Sequence, residues 1–553
     1  MATNLSTPLK TLTDLTVFRG GGAVTVDTWR VVPGAPTPTF SVTSSSPGVA
    51  TVSIDPATGR LSLTAGSNPG TTTITVSAHV AGQPVLTDSF VLTVPLGRSV
   101  TFAAPQALGS WLFPAWEDID GDGRVELAGT RNVGGQLVPQ DLHAIGLGPI
   151  ADRFVTFDNR DNRLVDLNGD GRLDLVTWTY TPVTDASGIG RLFLGRADGT
   201  YVEDPAFAAL DIRGYGHTIV AGDYDNDGDT DLFMVEYTHN DPREQFHLLL
   251  NDGTGHFTEV ADAAGVANRG WPLPWKSEGA QAVDVDGDGD LDLFAASHFY
   301  FNEGVVDGVP RFVDRRAALG LPQRFDEGLK FLDFDNDGRL DLLLHHPSEG
   351  PQLWRNTGAG FVQVPLPTHV FDKSYGANVA DMNGDGFEDL IVAPGTTTRT
   401  RILLNTGRGT FVENPLTTVD GIGGDVMAFG DADGDGRLDI GRRGNGLEYL
   451  RNTTSMAGLN RLVIEVVGDH GEHNQHGRVV RVVPAAAPDV TYTRVVDGGS
   501  SFVTQNQYPL LIGTPYAGAF TVSVRFDDGT VTFTMNAGQR RRVFRTGQID
   551  PIP

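Results

Sequence analysis

Between residues 100 and 455, short apolar runs alternate with clusters of Asp, Asn and Gly. Runs of this length, bounded by turn residues, read as strands. Residues 217–222, 232–237, 246–250 and 256–260 make one set of four. The last two are joined by Asn251-Asp-Gly-Thr-Gly255, a tight-turn composition that returns as Asn356-Thr-Gly-Ala-Gly360 and Asn405-Thr-Gly-Arg-Gly409. Residues 1–98 are patterned differently. Thr72-Thr-Ile-Thr-Val-Ser-Ala-His79 and Ser89-Phe-Val-Leu-Thr-Val94 alternate apolar with polar positions between turn clusters at 55–59 and 66–70, which predicts a small β-sandwich. Residues 456–553 hold further strand-like runs at 461–467, 478–483, 521–526 and 530–535. The chain is therefore expected to be all-β.

In the central region, the cluster between the first and second run of each set is a nine-residue loop, and there are seven of them. Positions 1, 3, 5, 7 and 9 are Asp118, Asp120, Asp122, Arg124 and Glu126 in the first and Asp166, Asn168, Asp170, Arg172 and Asp174 in the second. They are Asp223, Asp225, Asp227, Asp229 and Asp231 in the third, and Asp284, Asp286, Asp288, Asp290 and Asp292 in the fourth. The fifth has Asp333, Asp335, Asp337, Arg339 and Asp341; the sixth Asp381, Asn383, Asp385, Phe387 and Asp389; the seventh Asp431, Asp433, Asp435, Arg437 and Asp439. Side-chain oxygens at positions 1, 3, 5 and 9 can converge with the position 7 carbonyl on one hard cation. Calcium accepts about six to eight oxygens in flexible geometry. Every loop has Gly at position 6, which lets the chain curl tightly. An EF-hand would instead need a closing Glu at position 12 and flanking helices. Seven calcium ions, one per loop, are expected.

Loop starts at 118, 166, 223, 284, 333, 381 and 431 recur every 48 to 61 residues, the range of propeller blades. Four strands per unit and seven units predict a seven-bladed β-propeller at 99–455, flanked by β-sandwich domains at 1–98 and 456–553. The seventh unit lacks an aromatic outer strand of its own. Val100-Thr-Phe-Ala-Ala104, just before the first unit, has the missing character and is expected to supply it, removing an exposed edge.

The net charge of −28 is located rather than general. Twenty-six of the acidic side chains stand at positions 1, 3, 5 and 9 of the loops, so the rest of the chain is nearly neutral. No basic stripe supports nucleic-acid binding. Cysteine is absent, which excludes disulfides and thiolate chemistry. Metal can replace disulfides as a staple outside cells, so an extracellular or cell-surface location is expected, although the opening Met1-Ala-Thr-Asn-Leu-Ser6 is not a signal segment. No apolar run is long enough to span a membrane as a helix.

The Asp-x-Asp-x-Asp-Gly-x-x-Asp loops, with segments such as residues 248–257 and 403–411, resemble FG-GAP/VCBS repeats, the family that includes the integrin α-subunit propeller. The resemblance implies metal loops that serve structure on one face and ligands bound on the opposite face. Residues 1–98 resemble the Ig-like domains of bacterial surface proteins. Asn460-Arg-Leu, Gly468, Asn474, Gly477-Arg-Val-Val, the stretch 496–505 and Leu511-Ile-Gly513 resemble the UnbV/ASPIC-type domain, departing from it at Phe526-Asp-Asp-Gly529.

On the face opposite the loops, the strand connections are expected to carry Trp178, Tyr180, Tyr237, His239, Trp271, Trp275, His298, Tyr300 and His345. Of these, Trp178, Tyr237, Trp271, Trp275, His298 and Tyr300 are the ligand candidates, since aromatic platforms suit a sugar face or a protein partner. His470, His473 and His476 with Glu472 lack paired zinc-site spacing and read as a polar turn. The expected function is an extracellular, calcium-stabilised binding, adhesion or structural protein recognising a protein or surface polymer. The alternatives are a lectin-like glycan binder and a polysaccharide lyase. No nucleophile elbow, zinc motif or cofactor fingerprint favours catalysis.

Overall fold

The computed structural model describes residues 15–552 except 18–22, 29–37, 67–69, 95–99, 110, 120–124, 134–135, 140–158, 180–188, 198–200, 238–244, 270–278, 296–297, 323–327, 347–348, 367–373, 395–399, 406–408, 415–425, 445, 470 and 498–503. The chain forms two compact units, Met1–Val100 with Val412–Leu416 and Thr101–Phe411 with Thr417–Pro553.

The first unit holds two sheets. One orders Leu15–Thr16, Leu86–Val94, Gly70–His79 and Thr39–Ser44; the other orders Val24–Asp27, Arg60–Ala65 and Ala50–Ile54. Their strands alternate buried with exposed positions, as in Thr39–Ser44, and Leu61 and Leu63 of one sheet pack with Ile74, Val76, Phe90 and Leu92 of the other. Period-2 alternation is what a sheet with one wet face requires.

Seven sheets follow in chain order, all within the second unit except residues 412 and 413. The first is Trp111–Glu117, Glu126–Val133 and Gln136–Pro139; the second Asn159–Val165, Asp174–Thr179, Arg191–Gly195 and Tyr201–Glu203. The third is Gly216–Gly222, Asp231–Glu236, His247–Asn251 and Phe257–Glu259, and the fourth Ala280–Val283, Asp292–Ala295, His298–Val306 and Val309–Asp314. The fifth runs Leu329–Leu332, Asp341–His346, Gly350–Asn356 and Phe361–Val364, and the sixth Ser374–Ala380, Asp389–Pro394, Arg401–Asn405 and Phe411–Glu413. All are antiparallel meanders, and from the second sheet onward the acidic loop is the hairpin between first and second strands.

The seventh sheet takes Met427–Gly430, Asp439–Gly444 and Gly446–Leu450 from one region of the chain and Gln106–Gly109 from another. The added strand pairs antiparallel with Gly446–Leu450. The expected donor segment lies just ahead of it: the Ala103 amide donates to the Arg451 carbonyl and the Thr453 amide to the Thr101 carbonyl. The latch therefore exists, centred a few residues later than the sequence suggested.

The first strand of each sheet lies beside the first strand of the next, and that of the seventh lies beside that of the first. Sheets pack face to face. Val220, Phe233 and Phe246 of the third meet Leu291, Leu293 and Phe312 of the fourth, and Trp116 and Leu127 of the first meet Ala428 and Tyr449 of the seventh. Burial on both faces explains the unbroken apolar runs, and each fully buried Leu or Phe contributes roughly 1.5–3 kcal/mol. At Gly430 a Cβ would come within 2.5 Å of the Trp116 ring, so only glycine lets the seventh and first sheets close up there.

Two further sheets end the unit. Leu510–Thr514, Asn460–Val467, Arg540–Phe544 and Ile549–Pro551 form one; Tyr492–Val495, Val479–Pro484, Ala519–Phe526 and Gly529–Asn536 form the other. Ile464, Val482, Tyr508, Phe520 and Val524 lie in their shared core. Among the described residues, no helix is long and apolar enough to cross a membrane.

Candidate metal centre

The described loops are shaped by their own last residues and, in most, by the first as well. At position 9, one carboxylate oxygen accepts from the amide of position 2: Leu167 to Asp174, Tyr224 to Asp231, Phe334 to Asp341, Met382 to Asp389, at 2.8–3.1 Å. The other oxygen accepts from the amide ending the third strand, as Asn251 to Asp231 at 2.8 Å and Asn356 to Asp341 at 2.7 Å. Glu126 holds the Ile119 amide at 2.8 Å in the first loop. At position 1, Asp166, Asp333 and Asp381 each accept from the amides of positions 5 and 6. The hairpin thus wraps its own carboxylates inward.

This wrapping brings carboxylates together. The groups Asp223, Asp225 and Asp231; Asp284, Asp286 and Asp288; Asp333, Asp335 and Asp341; and Asp431, Asp433 and Asp435 each offer oxygens within 4.8 Å of one another. Oxygens that share a calcium-sized ion at about 2.4 Å lie no further apart than about twice that distance. The fit extends to unmet valence. Both carboxylate oxygens of Asp223, and one each of Asp225, Asp284, Asp335 and Asp431, are buried without a hydrogen-bond donor. Buried anions in that state are costly unless a cation joins them. Burial first, and neighbouring carboxylates after it, push Asp292 and Asp341 up to about 8 and Asp223 up to about 7. The donor set is oxygen throughout, which suits a hard cation.

At position 7 the side chains make contacts of their own. Arg172, Arg339 and Arg437 fold onto the position 5 carboxylates Asp170, Asp337 and Asp435, and each Nε donates to the carbonyl of Gly195, Asn356 or Asn452 at 2.7–3.1 Å. These arginines strap loop to third strand. Asp227, Asp229, Asp288 and Asp290 keep the corresponding positions acidic, Asp290 accepting from Asn226 at 2.7 Å. Asn168 and Asn383 each accept from the position 5 amide at position 3, and Phe387 at position 7 packs on Tyr492. Asp118 is half-buried beside Glu117, whereas Asp120, Asp122 and Arg124 lie outside the described residues.

An asparagine at the end of the third strand, or at the matching place in or just after it, carries a role that its turn-like context hid. Asn251 Nδ2 donates to the Leu167 carbonyl of the preceding sheet at 2.7 Å; Asn302, Asn405 and Asn452 repeat this to Tyr224, Phe334 and Met382 at 2.9–3.0 Å. Each links one acidic loop to the next.

The C-terminal sheets lie on the loop side. Arg478, fully buried, stands 3.5 Å from Asp223; Thr493 Oγ1 donates to Asp333 at 2.7 Å; the Gly513 amide donates to Asp381 at 3.1 Å. Gln505 bonds both the amide and the carbonyl of Leu164, at 3.1 and 3.0 Å, and Asp497 pairs with Lys330 at 2.7 Å. A cavity of about 330 Å³ remains between the second and third loops and Glu472 and Arg545. His473 lies between Glu117, 3.4 Å away, and Glu465, and stacks on Tyr508, which His476 meets edge-on. His470 lies outside the described residues.

The aromatic candidates are distributed differently from expectation. Trp178 is not on a connection but in the strand Asp174–Thr179, fully buried and edge-on to His247. Tyr300 is likewise an interior strand residue, stacked on His298, whose Nδ1 is 2.7 Å from Asp314. Tyr237 is half-buried and stacks on His217. Large rings between tightly packed sheets are needed as filling, which removes Trp178 and Tyr300 from an accessible platform. Trp271, Trp275, Tyr180 and His239 lie outside the described residues.

The FG-GAP-like repeat family matches residues 166–234, 225–295, 333–392 and 381–441, so the chain carries four FG-GAP-like repeats by that measure. Among characterised relatives, human cartilage acidic protein 1 is 24% identical over 457 residues, covering 74% of this chain and 59% of that protein. The mouse protein of the same name is 24% identical over 459 residues, covering 74% and 60%. The chain thus spans about three fifths of the length of these curated relatives. Among solved structures, the V. cholerae biofilm matrix protein Bap1 aligns at 15% identity over 71% of this chain and 62% of its own, with a TM-score of 0.31.

Proposed function

We propose that this chain is an extracellular, calcium-stabilised binding or adhesion protein, built as a seven-bladed β-propeller between two β-sandwich domains, that recognises a protein or surface polymer. The observation that carries the calcium reading is the set of buried, donorless oxygens on Asp223, Asp225, Asp284, Asp335 and Asp431, all at loop positions 1 or 3. Calcium rather than magnesium follows from loops that offer mainly protein oxygens, which suits calcium's flexible geometry, where magnesium demands a strict octahedron and keeps its waters. Positions 1, 3, 5, 7 and 9 of all seven loops are the proposed ligand set, position 7 through its carbonyl. Support for the propeller comes from the series of first strands, in which the seventh returns to the first. Support for a binding role comes from the FG-GAP-like repeats and from relatives named for cartilage and for acidity, the latter shared by a chain of net charge −28.

The test is thermal unfolding of the full chain with calcium chloride and after thorough chelation. Ions that bind only the folded state stabilise it by RT ln(1 + [L]/Kd), about 2.7 kcal/mol per site at a hundredfold excess over Kd. A melting temperature that chelation leaves in place would sink the calcium reading.

A further inference from the structure

The C-terminal sheets do not merely rest on the acidic loops; they contact the same atom in one loop after another. Asn474 Nδ2 donates to the carbonyl of Gly228 at 2.9 Å, Arg478 to Gly289 at 2.6 Å, Arg481 to Gly338 at 3.2 Å and Arg494 to Gly386 at 2.8 Å. Those four glycines are position 6 of the third, fourth, fifth and sixth loops. Their φ values are +98°, +105°, +85° and +98°, the left-handed conformation that curls each loop and turns its carbonyls. In the seventh loop, Arg461 donates to the carbonyl of Gly434 at 3.3 Å, two residues earlier. A donor row of this kind fits only loops that are already curled.

Curling and charge are linked. Position 6 directly precedes the proposed position 7 ligand carbonyl and follows the position 5 carboxylate, so a loop that loses its cation keeps only its internal hydrogen bonds, such as Gly338 and Gly386 amides to Asp333 and Asp381, to hold this peptide against carboxylate repulsion. Arg478 and Thr493 add direct contacts to the position 1 carboxylates Asp223 and Asp333, and the Gly513 amide to Asp381. These donors alone do not satisfy Asp223, whose two oxygens lie buried without a hydrogen bond beside Arg478.

We propose that docking of the C-terminal sheets onto the loop face is gated by calcium: loaded loops present a continuous row of position 6 carbonyls to Asn474, Arg478, Arg481 and Arg494, and emptied loops release the C-terminal sheets and uncover that face. This rests on the calcium reading above. By reciprocity, a coupling that lets calcium strengthen docking lets docking strengthen calcium binding by the same factor.

The chain has no cysteine, so spin labels can be placed at will. Thr357→Cys with Thr530→Cys, both exposed, spans a loop-side turn of the fifth sheet and the C-terminal sheets. Thr254→Cys with Thr357→Cys spans two of the seven sheets and reports on their integrity. Distances are read by pulsed electron paramagnetic resonance on the full chain, in calcium chloride and in chelator, with bound calcium counted by equilibrium dialysis. The expected result is a narrow distribution for both pairs in calcium, and in chelator a broad one for the first pair only. In addition, Arg481→Ala should weaken calcium binding about fivefold or more, the lower end of typical coupling. No calcium retained in dialysis would overturn the calcium reading and gating with it. Calcium bound with an unchanged first pair would overturn gating alone, as would broadening of both pairs together.

Discussion

Asn405 shows how much one side chain holds in this molecule. Its Nδ2 reaches the Phe334 carbonyl in the preceding sheet and the Glu388 carbonyl in its own, both about 3 Å away. Asn405→Ala strands two carbonyls in the interior, and a loss of about 1–3 kcal/mol is expected in denaturant unfolding; an unchanged midpoint would mean that the bridge contributes nothing. His473 makes a second residue-level prediction. Burial favours its neutral ring, but the Glu117 and Glu465 carboxylates outweigh that and raise it to about 10. A folded pKa above the unfolded 6.5 stabilises fully below that value, and the contribution fades as pH climbs through about 10. The melting temperature should therefore fall between pH 7 and 10 by more in the native chain than in His473→Gln. Equal slopes for the two would refute the ion-pair account.

The acidic hairpin is the element on which most else depends. Asp341→Ala removes a proposed ligand and the acceptor for the Phe334 and Asn356 amides, and should lower bound calcium by one ion per chain in equilibrium dialysis. Metal-free loops also have a pH signature. Burial raises Asp292 and Asp341 to about 8, well above unfolded aspartate, so the metal-free fold takes up protons that the unfolded chain does not. Its stability should rise as pH falls from 8 towards 5, while calcium-saturated protein should lack this trend. Thermal melts in chelator at four pH values would decide it. The hairpin was legible in sequence because every cue is local: alternate carboxylates, glycine at position 6, an apolar run on either side. The Arg172, Arg339 and Arg437 straps were not, since nothing along the chain marks which carbonyl an arginine will meet. The Asn251 bridge was visible as a residue but masked by turn composition, which explains asparagine there equally well.

At the scale of the molecule, the succession of similar sheets and the borrowed strand were foreseeable from counting: one unit lacked an outer strand and one segment had a strand to spare. The position of the C-terminal sheets was not foreseeable. Arg478, Arg481 and Arg494 sit in or beside ordinary strands, and their register against four loops arises only when two distant regions meet. Candidate aromatics were misplaced for a related reason, because in sheets packed on both faces Trp178 and Tyr300 can serve as filling as readily as platform. Removing residues 1–110 would delete the strand Gln106–Gly109 and leave Gly446–Leu450 as an open edge. Lower melting temperature and concentration-dependent association in light scattering are expected; a monodisperse, equally stable product would show the latch to be dispensable.

The borrowed strand also sets a timetable. Thr101 and Thr453, joined by their hydroxyls at 3.0 Å, are 352 residues apart in sequence. At ribosomal speeds of about 5–20 residues per second, the early strand leaves the tunnel roughly 20–70 s before its partner exists. The intervening sheets, whose contacts are local, have time to form in order, and the last to assemble is the one that needs both ends of the series. Until then the nascent chain carries two unpaired strand edges, so this protein is most exposed to mispairing with its neighbours on a polysome during the interval just before synthesis passes residue 450.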